Sequence, residues 1–117
     1  MSHISYRFLI SEEAFAVFAE AIFIASTECH RFLSMSQALE FVVVNMENVQ
    51  PDITLAQNAL DHTLLPGPYR IHIRIPGPAA ARLSSWKSRC AQELGTGLGN
   101  LPAIGLMLNQ FNHMHKP

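Results

Sequence analysis

A chain of 117 residues with 49% hydrophobic, 9% aromatic and 15% charged residues and a formal net charge of −1 suits one compact domain and is too short for two large ones. That composition excludes intrinsic disorder, and a charged fraction well below the usual quarter leaves room for a partly apolar, partner-binding surface. The longest apolar run, Ala14 to Ala25, is interrupted by Glu20 and falls short of the ~20 residues that cross a bilayer; with no basic stretch leading into an apolar core and cleavage site, a cytoplasmic protein with no membrane partner is expected.

The first segment, residues 4–10, carries Tyr6, Phe8 and Ile10 at period two and predicts a short strand. Ser11 followed by Glu12 and Glu13 is a helix start: the hydroxyl accepts an orphan N–H and the carboxylates suit the positive end of the dipole. A helix from about Glu12 to Cys29 follows, with Phe15, Phe18, Ile22 and Ala25 at helical spacing. Val17, Ala21 and Ile24 widen that stripe until little polar face remains, which predicts burial on more than one side. Ser34-Met35-Ser36-Gln37 matches a capping box, and Leu39, Val42, Val43 and Met46 form the stripe of a second helix, Ser36 to about Glu47.

Pro51 and Leu65-Pro66-Gly67-Pro68 bracket a segment whose apolar residues, Ile53 to Leu64, allow a short connecting helix. Arg70-Ile71-His72-Ile73-Arg74-Ile75 then alternates without fault and is the cleanest strand signal in the chain. Pro76-Gly77-Pro78 ends it and opens a helix to Leu94, with Ala79, Leu83, Trp86 and Cys90 on its inner face. Gly95, Gly97 and Gly99 break that helix; Asn100 offers a cap before Pro102, and Ala103, Ile104, Met107, Leu108 and Phe111 mark a last helix. Cys29 and Cys90 stand far apart, outside any Cys-x-x-Cys arrangement, and read as buried thiols.

Shifting the sequence by 65 places superposes the two readings without a gap: Ile10 falls on Ile75, Phe18 on Leu83, Ala25 on Cys90 and Leu39 on Ile104. The order of elements and the shared apolar positions carry this repeat, since residue identity is only background. One strand cannot stand alone, because its backbone donors and acceptors need a neighbour, so the two strands are expected to pair. Tyr6, Phe8 and Ile10 with Ile71, Ile73 and Ile75 would then face the helices. Ser5, Arg7 and Leu9 would share the opposite face with Arg70, His72 and Arg74.

A short alternating strand, a serine- or proline-started helix, a tight turn and a second helix resemble the ribbon-helix-helix DNA-binding family, which includes MetJ- and Arc-like repressors. The resemblance covers residues 4–47 and 69–114, with 48–68 as connector, in one 117-residue domain. It implies an α+β fold in which two tandem ribbon-helix-helix units form a pseudo-dimer, with one antiparallel ribbon on four main helices; single-chain tandem versions are similar in layout to relaxosome accessory proteins of conjugative plasmids. It also implies sequence-specific binding of double-stranded DNA through the ribbon in the major groove, as a transcriptional regulator or a conjugation and plasmid accessory factor. Base contacts would come from Arg70, Arg74 and Arg7, with His72 and Ser5 reading bases or phosphate and Leu9 meeting only a thymine methyl. Phosphates would be held at second-helix starts by Ser34, Met35 and Ser36 and by Gly99, Asn100 and Leu101, and on the intervening helix by Arg82 and Arg89. The sequence departs from the pattern at Pro102, which removes an N–H near the second clamp.

Charge is unevenly spread. Residues 1–52 set Arg7 and Arg31 against Glu12, Glu13, Glu20, Glu28, Glu40, Glu47 and Asp52, a net −5, whereas residues 66–117 set Arg70, Arg74, Arg82, Lys87, Arg89 and Lys116 against Glu93, a net +5. Phosphate neutralisation supplies most DNA affinity, so the second half is the better equipped. Polarised charge also favours head-to-tail self-association, as does the very apolar first helix. His113-x-His115 is too sparse for a metal site, and no nucleophile elbow, phosphate loop or zinc-ligand quartet is present. A non-enzyme without cofactors is expected. The alternatives are a protein-interaction module on the same scaffold without DNA binding, and a helical domain that binds a small molecule.

Overall fold

A computed structural model describes residues 2–62 and 66–116; Leu64 and Leu65, read above as part of the connector and its turn, lie outside the described residues. The architecture is α+β, with one two-stranded antiparallel sheet and five helices among the described residues. In chain order these are β1 (His3–Ile10), α1 (Glu12–Cys29), α2 (Met35–Met46), α3 (Ile53–His62), β2 (Tyr69–Pro76), α4 (Gly77–Leu94) and α5 (Asn100–Met114). No described helix is long and apolar enough to cross a membrane.

Local chemistry sets most of the boundaries. The Ala14 N–H donates to the Ser11 hydroxyl at 3.1 Å, and α1 ends at His30, whose left-handed backbone (φ 57°) returns its N–H to the carbonyls of Ser26 and Thr27. The expected capping box opens α2: the Gln37 N–H donates to Ser34 Oγ at 3.2 Å, and the Ser34 N–H donates to Gln37 Oε1 at 2.9 Å. Gly95 (φ 75°) closes α4 in the conformation that a residue without Cβ adopts most readily. The last helix starts one residue earlier than expected: Gly99 is its N-cap and Asn100 its first residue, so the Asn100 side chain is released for another contact.

β1 and β2 pair antiparallel, with Ser5 opposite Arg74, Arg7 opposite His72 and Leu9 opposite Arg70. Tyr6, Ile10, Ile73 and Ile75 are buried and Phe8 and Ile71 half-buried, which gives the ribbon the expected apolar side. The core continues through Leu39, Val42, Val43 and Met46 of α2, Leu83, Trp86 and Cys90 of α4, and Ile104, Met107, Leu108 and Phe111 of α5. Among the helices, α5 is the most enclosed: each residue from Ala103 to Leu108 is buried, because α1, α2, α3 and α4 all pack on it.

The connector is tied down by side chains from the second half. The Trp86 indole N–H donates to the Val49 carbonyl at 3.1 Å, and an Arg89 N–H donates to the Glu47 carbonyl at 2.6 Å. Gln110 grips both sides of Pro51, its amide donating to the Gln50 carbonyl and its Oε1 accepting the Asp52 N–H, each at 2.8 Å. Asp52 then caps α3 by accepting the Leu55 N–H at 3.0 Å.

Two expectations fail, the first being the burial of Cys29, which is half-buried at the end of α1. Nor is helix α1 buried on more than one side. Ala14, Val17, Phe18, Ala21 and Ala25 face the core, while Phe15 is 50% and Phe23 70% exposed. Apolar composition set the width of the hydrophobic surface but not what covers it.

Candidate nucleic-acid interface

The outer face of the ribbon collects Ser5, Arg7 and Leu9 from β1 and Arg70, His72 and Arg74 from β2, all exposed. The period-two pleat sends alternate side chains to one side, and the register sets them directly across from one another. Three guanidinium groups thereby share a narrow surface, with His72 across from the central Arg7. None of the three forms an ion pair or a side-chain hydrogen bond with the described residues. Arg7, Phe8, Leu9 and Arg70 border a shallow depression of about 240 Å³.

The other basic side chains of the second half are engaged inside the molecule. Arg82 Nε lies 3.3 Å from Glu47 Oε1, and Arg89 closes on the carbonyl of the same residue, so both sit at the C-terminal end of α2. That role differs from the phosphate contacts expected for them. Lys116 approaches Glu20 at 4.0 Å, and His115 Nε2 lies 3.7 Å from Glu28. Each of these side-chain contacts joins a carboxylate of the acidic half to a basic side chain of the second half, so the charge separation seen in the sequence is partly closed within one molecule.

Of the expected phosphate-binding positions, the structure brings the start of α2 against the ribbon. The Arg74 backbone N–H, which points away from β1, donates to Ser36 Oγ at 2.9 Å, so the first turn of α2 lies along the open edge of β2. The capping box consumes the Ser34 N–H, whereas those of Met35 and Ser36 have no acceptor among the described residues. At the start of α5 the Gly99 cap has no side-chain hydrogen bond, and Asn100 Oδ1 accepts from Lys87 Nζ at 3.0 Å. Lys87 therefore stands beside the first N–H groups of that helix, those of Asn100 and Leu101. Spacing could not have revealed this, because Lys87 follows the buried Trp86 and reaches α5 only through the α4–α5 turn. Ser36, read for its backbone, also proved to guard a strand edge, which depends on how α2 docks.

No group of three or more His, Cys, Asp or Glu residues suited to a metal occurs among the described residues. His113 Nδ1 and His115 Nδ1 each lie 2.9 Å from a carbonyl of their own helix, and the His115 ring rests on Phe111. Burial raises the Cys90 thiol pKa, with Glu93 adding to the effect, and burial also raises that of the Tyr6 phenol. No protein-family model matches the chain, and comparisons with curated proteins and with solved structures return no match.

Proposed function

We propose that the chain is a cytoplasmic, non-catalytic protein that binds double-stranded DNA, built as two ribbon-helix-helix units, residues 4–47 and 69–114, joined by 48–68. The observation that carries the reading is the outer ribbon face: Arg7, Arg70 and Arg74 stand together without a carboxylate among the described residues, whereas Arg82 and Lys116 have one. Clustered guanidiniums repel one another and are stabilised by an anionic partner, and a two-stranded ribbon has the width of the major groove. Arg70 and Arg74 would pair with guanine O6 and N7, and Arg7 would read the centre of the site from the other strand. His72 and Ser5 would contact bases or phosphate, and the Met35 and Ser36 N–H groups would hold a phosphate beside β2. At the second clamp Lys87 would add its charge to Asn100 and Leu101; Arg82 and Arg89 would serve only by leaving Glu47.

The tandem reading is supported by the positions of the elements. A shift of 65 residues carries α1, Glu12–Cys29, onto α4, Gly77–Leu94, end for end, and the first residue of α2, Met35, onto that of α5, Asn100. It also carries the left-handed cap His30 onto Gly95. The two outer strand faces differ, Ser-Arg-Leu against Arg-His-Arg, so a site read by them would lack two-fold symmetry. A regulatory role or a plasmid-transfer role would use the same surface.

The test is fluorescence anisotropy with mixed-sequence duplex DNA across a salt series, comparing wild type with Arg70→Ala/Arg74→Ala. The expected result is binding that weakens steeply with salt in the wild type and is lost or much weaker in the variant at each salt concentration. Absence of binding at low salt by a folded sample would sink the DNA reading and favour a protein-interaction module. The small-molecule reading would instead show as a ligand-dependent rise in melting temperature.

A further inference from the structure

Helix α1 carries a largely uncovered face, met near its start by Tyr69, whose ring centroid lies 5.6 Å from that of Phe15. Phe15, Ala19, Ile22, Phe23 and Ser26 recur at three- and four-residue steps and so lie on one side of the helix. Phe23 is 70% exposed, and past the helix end Phe32 is 100% exposed. Together with Ile22 and Leu33 these two rings line a concavity of about 430 Å³. The corresponding face of α4, the other 18-residue helix that leaves a strand, holds Ala80, Ser84, Lys87 and Ser88. An outward face in this position can thus be polar, and the aromatic one on α1 is particular to that helix.

Charge says what fits it. Glu12 stands at one end of the face and Arg31 at the other, and neither is ion-paired among the described residues. The carboxylates away from this face, Glu20 and Glu28, are the ones paired to Lys116 and His115. A surface that is acidic at one end, apolar in the middle and basic at the other is complementary to itself turned end for end. His30 adds to this: its left-handed backbone would be less strained as glycine, the residue found at the matching Gly95, yet a side chain is kept there.

We propose that this face docks a second copy of the chain, the two α1 helices packing antiparallel about a two-fold axis that passes between Ala19 and Phe23. In that arrangement each Phe23 lies over Ala19 of the second copy and each Phe15 over Ser26, large against small. Glu12 meets Arg31 of the other molecule, and the two-fold axis repeats the pairing at both ends. A helix of 18 residues is about 27 Å long. Even with Phe32 its face offers less than the ~800 Å² per partner of a standard interface, so the dimer is weak and forms with concentration. The inference stands apart from the DNA reading and uses none of the side chains proposed to contact DNA.

Sedimentation equilibrium from about 1 to about 500 μM tests it, a range spanning weak association. Wild type is expected to pass from monomer to dimer, and Phe23→Glu, at an exposed site and with an unchanged circular dichroism spectrum, to bind at least about tenfold more weakly. A charge exchange tests the orientation. A chain carrying Glu12→Lys and Arg31→Glu together should pair with itself but not with wild type, whereas a parallel pair, which sets like ends together, would give the reverse. A wild type that remains monomeric throughout, or a Phe23→Glu variant that dimerises as well as wild type, overturns the proposal; an exchanged chain that pairs with wild type and not with itself overturns the antiparallel arrangement.

Discussion

Several residues act through a single close approach or a pair of hydrogen bonds. A Cβ added to Gly67 would lie 2.5 Å from the Ser11 Cα and 2.6 Å from the Ile10 carbonyl oxygen, both main-chain atoms of the β1–α1 junction. Gly67→Ala should therefore cost about 1–3 kcal/mol in urea unfolding, the usual penalty of overpacking. At Gly97 an added Cβ meets nothing within 4 Å, and Gly97→Ala should be neutral or gain up to about 1 kcal/mol. Gln110→Ala removes the partners of the Gln50 carbonyl and the Asp52 N–H together; a loss of about 1–3 kcal/mol in the same assay is expected. Little of this is legible in the sequence. Gly67 reads as a turn signal and Gln110 as a residue beside a hydrophobic stripe, because their partners lie some 60 residues away in the chain. The caps at Ser11 and Ser34 were legible, since a cap and the N–H it satisfies are three residues apart.

At the scale of elements, periodicity located the strands and the long helices to within about a residue, because period two and period 3.6 are properties of the backbone. It could not give the register of the ribbon, which depends on how the helices beneath receive Tyr6, Ile10, Ile73 and Ile75. Nor could it say which side of α1 the core would take. The left-handed cap offers a test at this scale. His30→Gly relieves a conformation that disfavours a Cβ and should raise stability by about 1 kcal/mol, read by thermal melting at concentrations where the chain is monomeric. Burial offers another. Tyr6 and Cys90 hold their protons more tightly when folded than when unfolded. Their contribution is thus complete below the unfolded pKa values and is lost as pH rises from the ordinary thiol and phenol range, about 8.5–10, toward the raised folded values. Denaturation midpoints should fall across that window, and a thiol reagent should label half-buried Cys29 well before Cys90.

For the whole molecule, the acidic and basic halves invite a picture of two opposed charged ends. The structure moderates it, since Arg82–Glu47, His115–Glu28 and Lys116–Glu20 each span the two halves. Such exposed pairs contribute about 0–1 kcal/mol each, so raising salt should shift the melting temperature only slightly while, on the DNA reading, it weakens binding steeply. Different responses of stability and binding to the same salt series would separate charges that hold the fold from charges that meet a partner. The α+β class and the pairing of the two strands were legible in the sequence because a lone strand has no alternative partner within so short a chain. The internal use of Arg82 and Arg89 was not, because it follows from where the end of α2 comes to rest.

The two strands of the ribbon belong to one chain, and this makes its assembly first-order. A ribbon formed from separate subunits falls apart on dilution; here the second strand is always present at the local concentration that its tether imposes. The sheet should therefore survive at nanomolar protein, and the Phe23→Glu variant should unfold at the same midpoint whatever its concentration.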